Sequence, residues 1–283
     1  MSPTVKFSAM SVPRCKPQSG AALMLLVFML AITLTTFAYQ YLDARSGKLA
    51  QQDNTAAALA EAKAALIGYA LAHTTVPGRL PCPEDPASIG TANEGQERSN
   101  CNTDALRIGR LPWRSLGTGK LVDGNGEPLW YAVSSGFMTA PINSETVPQL
   151  NLNGVANSAI AIVFSAGPAL EGQTRSVVTL ANPPVQANYL DQGNADANTT
   201  FFSAVPSTIF NDQLITISHA DIFVPLEKRV LGEIKNNAAT YKDSWHAYPF
   251  PQEFLNPATL ADDSFIGALG SARVAGGDWL SAD

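Results

Sequence analysis

Residues 21–39 read AALMLLVFMLAITLTTFAY, nineteen residues without a charge. As a helix this run would be about 28 Å long, close to the thickness of a bilayer's hydrocarbon core. Residues 1–20 carry Lys6, Arg14 and Lys16 and no acidic residue, and they end in Gln18-Ser19-Gly20 directly before the apolar run. A positive N-terminal flank stays on the cytoplasmic side, so the chain beyond Tyr41 is expected to be exported. A secretory signal is cut after its apolar stretch, next to small residues. Leu42-Asp43-Ala44-Arg45-Ser46-Gly47 offers only a poor Ala-x-Ser site. The segment is therefore expected to be retained as a single span. Cys15 lies before the apolar run, whereas lipidation needs a cysteine after one.

The basic leader, the Gly20-Ala21 junction and the apolar run together resemble the type IV pilins and the pseudopilins of type II secretion. In those families a short basic leader ends in Gly, a prepilin peptidase cuts just after it on the cytoplasmic face, and the exposed apolar helix anchors the subunit and later packs in a filament core. The resemblance implies processing between Gly20 and Ala21, and an assembly helix on which Leu23, Leu25, Leu26, Phe28, Leu30 and Phe37 make the apolar contacts. It implies as partners other pilin-like subunits, the peptidase and an inner-membrane assembly platform. Two positions depart from the family. The first mature residue would be Ala21 instead of Phe or Met, and the fifth would be Leu25 instead of Glu. A carboxylate in hydrocarbon needs a partner, which the family is thought to supply as a neighbour's free N-terminal amine. Leu25 needs none, which points away from a repeating major subunit and toward a minor or tip-type component. A plain signal anchor and a cleaved secretory signal remain as the other readings of the segment.

The chain has 283 residues and a formal net charge of −6, and loss of the leader would remove three positive charges and no negative one. An acidic chain with scattered Lys and Arg has no basic patch for a phosphate backbone, so nucleic acid is not an expected partner. Of three cysteines, loss of the leader would leave Cys82 and Cys101 as a pair in an oxidising compartment, closing a loop with eighteen residues between them. That loop is polar and turn-rich, and a disulfide across it is worth about 3 kcal/mol on the chain-entropy account. The rival reading, a metal pair, lacks a histidine near either cysteine.

Beyond the span, TAAALAEAKAALIGYALAH over residues 55–73 places Leu59, Ala62, Leu66 and Ala70 at helical spacing and leaves Glu61 and Lys63 for wetter positions. One long helix from Ala21 to about His73 is the simplest arrangement, with the polar patch around Gly47 as the place where it would loosen or break. Thr75-Val76-Pro77-Gly78 ends the pattern. The expected organisation is a leader over 1–20, a membrane or filament-core helix over 21–42, its amphipathic continuation over 43–76 and an exported head over 77–283. The expected fold class is α+β, a long helix packed on an antiparallel sheet, as the resemblance to pilins also implies, with an enlarged head.

Within the head, Gly78-Arg79-Leu80-Pro81 and Gly109-Arg110-Leu111-Pro112 share four residues on either side of the cysteine loop. On one reading Leu80, Leu111 and Trp113 pin that loop to the core while Arg79 and Arg110 cover its edge. On the other, Arg79, Arg110 and Arg114 form a docking patch for an acidic partner. Residues 122–133, VDGNGEPLWYAV, deliver a glycine-rich turn into a strand whose aromatics alternate faces. Asp123, Gly126, Pro128 and Tyr131 resemble the pattern that leads into the first head strand of major pseudopilins, with Asn125 where Trp is usual. Asp123, Asn125 and Glu127 are also candidate calcium ligands, although no full EF-hand loop is present. Residues 191–198 offer a similar arrangement.

Residues 159–167 read as a buried strand and 213–218 as another, with a short one over 177–180 and a long loop over 182–200. A second helix is expected from Pro225 to about Tyr241, with Pro225 in its first turn and Leu226, Val230 and Ile234 facing inward. The last forty residues are rich in aromatics that either wrap the core or present an extra lobe to a partner, and Trp279 is the best interface candidate, with sealing of a core as its other and favoured reading. No nucleophile elbow, zinc-protease motif, phosphate loop or dinucleotide fingerprint occurs. Ser218, His219 and Asp221 are the sole grouping that could suggest a hydrolase, and they read as a strand end. The expected function is structural, as a minor pilin or pseudopilin at a tip or initiating position. The alternatives are a signal-anchored periplasmic binding domain and an unrecognised membrane-anchored hydrolase.

Overall fold

The computed structural model describes residues 19–246 and 248, so the leader with Lys6, Arg14, Cys15 and Lys16, and Trp279 with the other tail aromatics beyond Tyr248, lie outside the described residues. The chain divides into two units at Gln52/Asp53. Helix α1 is Ser19–Ala72. Its composition explains its length: Ala and Leu dominate, proline is absent, and the hydroxyls of Thr33, Thr35 and Thr36 bond back to carbonyls three or four residues earlier. The helix runs through Gly47 and its polar neighbours without a break. Ser46 there bonds the Asp43 carbonyl, and the patch is otherwise built of good helix formers.

In the second unit, α1 buries Ala58, Leu59, Ala62, Leu66 and Ala70 along one stripe, as the spacing predicts. Alanines on this stripe keep the helix close to what it packs on. Gly68, by contrast, is exposed, and a Cβ there would meet nothing within 4 Å, so no packing requirement explains it. The helix stops at Ala72, where the Gly78 N–H returns to the Ala70 carbonyl and Gly78 takes φ +90°.

Among the described residues the strands form two sheets. The first has the order β1-β2-β5-β7, built from Ile108–Arg110 (β1), Trp130–Val133 (β2), Ala161–Ser165 (β5) and Gln213–Ile217 (β7), every pair antiparallel. The second sets Val155–Ala159 (β4) antiparallel and Thr200–Phe201 (β6) parallel to Leu150–Leu152 (β3). The first sheet is covered on both faces, which is why β5 is buried along its whole length and apolar as far as Ser165. Tyr131, Val133, Ala161 and Val163 face the cluster that holds the α1 stripe, while Trp130, Ala132, Ile162 and Phe164 face Leu150, Tyr189, Leu190 and Phe201. The fold is α+β, a long helix on an antiparallel sheet, with a small mixed sheet behind.

Several elements differ from the sequence reading. Residues 159–167 are not one strand: Ala159 ends β4, and β5 begins at Ala161 in the other sheet. The Asp123 turn does lead into a strand, but β1 precedes it in the head. Residues 177–180 form only a tight turn, bridged between Thr179 and Asn182, with Val177 exposed. The second helix, α2, is His219–Trp245 and begins six residues before Pro225, because Ser218 and Asp221 form a reciprocal capping box. Pro225 consequently lies inside the helix. The buried residues of α2 are Ile222, Phe223, Leu226 and, near its far end, Tyr241, whereas Val230 and Ile234 are each 45% exposed.

Because Gly68 sits on the exposed side of α1 with free space around its Cα, Gly68→Ala is expected to raise unfolding stability by about 0.5–1 kcal/mol, read as a higher urea midpoint with an unchanged slope.

Candidate functional sites

Every large side chain assigned to the assembly helix is open to its surroundings: Leu23, Leu25, Leu26, Phe28, Leu30 and Phe37 are all more than half exposed. The first acidic side chain along α1 is Asp43, so the apolar stretch carries no carboxylate of its own. The helix is long and apolar enough to cross a membrane. The Gly20–Ala21 bond lies in its first turn.

In the head, Cys82 and Cys101 are joined, their Cα atoms 5.9 Å apart. Glu97, inside the loop they close, ties that loop to α1. Its Oε2 accepts from Arg79 Nη2 at 3.0 Å and from the Cys82 N–H at 2.9 Å, and its Oε1 accepts from the Tyr69 hydroxyl at 3.1 Å. Arg79 also donates to the Tyr69 hydroxyl and to the Met138 carbonyl. Burial first, and the Glu97 charge second, push the Tyr69 hydroxyl above its ordinary pKa. Leu80 and Leu111 are buried beneath the loop and Trp113 is half-buried, covering Gly95. Gly95 has φ +88°, and a Cβ there would sit 2.3 Å from the indole, so Trp113 can pack only on a glycine.

The three arginines are not gathered into one exposed patch. Arg79 is half-buried on Glu97, Arg110 is 7% exposed, and Arg114 is exposed, donating to the Glu94 carbonyl and lying over Trp113. Asn125 and Glu127 each donate a backbone N–H to Asp123 Oδ1, while Ser165 Oγ and the Gly167 N–H donate to Oδ2 at 2.7 and 3.1 Å. A cation held by the Asp123 carboxylate would have to displace these donors. Glu127 itself pairs with Arg175. Among the described residues no group of three or more His, Cys, Asp or Glu is placed to hold a metal.

Residues 191–198 also fold around buried carboxylates. Asp191 Oδ2 accepts from the N–H groups of Asn211 and Asp212, and Asp212 Oδ2 accepts from the Asp191 N–H and from Asn194 Nδ2. Asp212 Oδ1 is buried with no partner. Burial pushes the Asp212 carboxyl up to about 7, against the lowering effect of those two hydrogen bonds. Sequence spacing groups 191–198 alone and misses Asp212, which lies beyond the intervening loop. Ser218, His219 and Asp221, the grouping that could suggest a hydrolase, cap α2: Asp221 accepts from Ser218 and from Lys63, while His219 stacks on Phe223 and reaches the Ser144 carbonyl.

Comparison with known proteins finds no family model, no curated protein and no solved structure that matches this chain.

The Asp212 carboxyl has a definite pH signature. Between its ordinary pKa near 3.8 and the folded value of about 7, the folded chain holds a proton that the unfolded chain has released, so this group's contribution to stability falls as pH rises through that window. Asp212→Asn is therefore expected to flatten the stability profile between about pH 4 and pH 7, and to compare better with the parent at pH 8 than at pH 4. Parallel profiles for the two proteins in urea melts would contradict this.

Proposed function

We propose that this chain is a minor pilin or pseudopilin-like structural subunit of a type IV pilus or type II secretion filament, placed at a tip or initiating position. The observation that carries the reading is the division of α1 into two chemistries. Over Leu23–Leu42 the helix exposes an uncharged apolar surface, and over 58–70 it is the buried spine of an α+β head. A helix satisfies its backbone polar groups internally, as hydrocarbon demands, and the threonine hydroxyls of α1 find carbonyls of their own helix. Withdrawing each exposed Leu or Phe from water into lipid is favourable by about 1.5–3 kcal/mol, and packing against neighbouring helices keeps these side chains out of water once the helix leaves the bilayer.

On this reading the chain is single-pass in the inner membrane before assembly, with its head in the periplasm or on the filament. The prepilin peptidase acts at Gly20–Ala21, and the partners are other pilin-like subunits and the assembly platform. The role is mechanical, without a catalytic step. Leu25 favours a subunit present in few copies, because it makes no demand on a neighbour's amine. The same residue favours the second reading, a head domain tethered by a signal anchor that never polymerises.

Crosslinking separates the two. With a photo-crosslinking side chain at Phe28 in native cells, the proposal expects adducts to another pilin-like subunit. Adducts to lipid alone would overturn it.

A further inference from the structure

A cavity of about 220 Å³ opens between the disulfide loop and the edge strand β1, with Glu84, Arg98, Arg110 and Trp130 in its walls and Ile89 and Ile108 as apolar lining. Three N–H donors of these residues, Arg98 Nε, Arg110 Nε and Trp130 Nε1, are buried with no hydrogen-bond partner. Unpaired buried donors cost about 1–3 kcal/mol each, more when charged, so these side chains are held here at a cost. Trp130 is 2% exposed and Arg110 7%, and Arg110 makes no side-chain hydrogen bond or ion pair among the described residues. Arg98 is steadied by donating Nη2 to the Glu84 carbonyl at 3.1 Å.

The cavity is shaped by a glycine. A Cβ on Gly109 would lie 2.9 Å from Pro83 and 3.1 Å from Arg98 Nη2, so the bare backbone of β1 is what lets the Arg98 guanidinium lie across the strand. Two guanidinium groups face one carboxylate, Glu84, whose Oε1 already accepts from the Gly95 N–H at 2.8 Å. Of the charged residues in the walls two are cationic and one is anionic, and Asp85 and Glu94, outside the lining, also act on Arg98 and Arg110. Burial lowers the Arg98 pKa and raises that of Glu84, both consequences of charge held away from water.

We infer that this cavity binds a small organic carboxylate, with the acid group on the guanidinium groups of Arg98 and Arg110 beside the Trp130 indole, and a short apolar body against Ile89 and Ile108. A planar carboxylate matches the edge of a guanidinium, and desolvated arginines bind it more tightly than exposed ones. The volume is below the range of about 300–1,000 Å³ usual for drug-sized ligands, which restricts the occupant to a small acid. The site is separate from the apolar half of α1 and does not depend on the filament reading.

The test is a titration of the full chain in detergent micelles with sodium benzoate, reading the Trp130 indole N–H by nitrogen-15 NMR, its signal identified by Trp130→Phe. A saturable shift with a Kd of about 1 mM or tighter is expected, absent with benzamide and at least about tenfold weaker in Arg110→Gln. Should Arg110→Gln fail to fold, Arg98→Gln, at a less buried position, replaces it with the same expected loss. Absence of a saturable shift, an equal response to benzamide, or undiminished binding in the folded arginine variant would overturn the inference.

Discussion

The head depends on the apolar stripe of α1 lying against the four-stranded sheet. Ala58, Ala62 and Ala70 keep the helix close, Leu59 and Leu66 fill the space between, and Tyr131, Val133 and Val163 meet them from the sheet. At about 1.5–3 kcal/mol for each large apolar side chain fully withdrawn from water, this face outweighs any single polar contact in the molecule. It also couples the two chemistries of the chain, because the helix that anchors the head core is the same helix that carries the exposed apolar stretch. The opposite face of the sheet is closed by Phe201, Tyr189 and Leu190, so that β5 has no wet side.

With so much of the head in turns, buried carboxylates do the work that ladders do elsewhere. Asp123 gathers two N–H groups of its own turn with Ser165 and Gly167 at the end of β5. Glu97 joins the disulfide loop to the last turns of α1, and Asp191 and Asp212 brace the long loop reciprocally. A carboxylate offers several acceptor sites and so can satisfy several buried donors at once, which suits a chain with many bends. At Asp212 burial outweighs the hydrogen bonds and raises the carboxyl to about 7.

Periodicity and composition made the long helix, its buried stripe, the apolar strand β5, β7 and the pairing of Cys82 with Cys101 legible in the sequence. What they could not convey was set by partners distant in the chain. The run over 159–167 reads as one strand because both sheets need apolar residues there, and only the pairing partners reveal a change of sheet at Ile160. The start of α2 was hidden because Ser218-His219-Ala220-Asp221 continues a strand pattern, while its capping box becomes evident only as a helix start. Val230 and Ile234 have the spacing of a buried face, yet each is 45% exposed while Tyr241, farther along, is buried. Arg98 and Trp130 carried no motif pointing to a shared site, since their common cavity depends on Gly109, beside which Arg98 lies, and on the β1–β2 pairing that sets Arg110 opposite Trp130.

The central claim, that α1 begins life behind a leader and is released to assemble, is tested most directly at its first peptide bond. Intact mass and N-terminal sequencing of the membrane-expressed chain, with and without a prepilin peptidase, would decide it. The account predicts a peptidase-dependent loss of residues 1–20 that leaves Ala21 first. An N-terminus unchanged by the peptidase would contradict the account and leave a tethered head domain in its place.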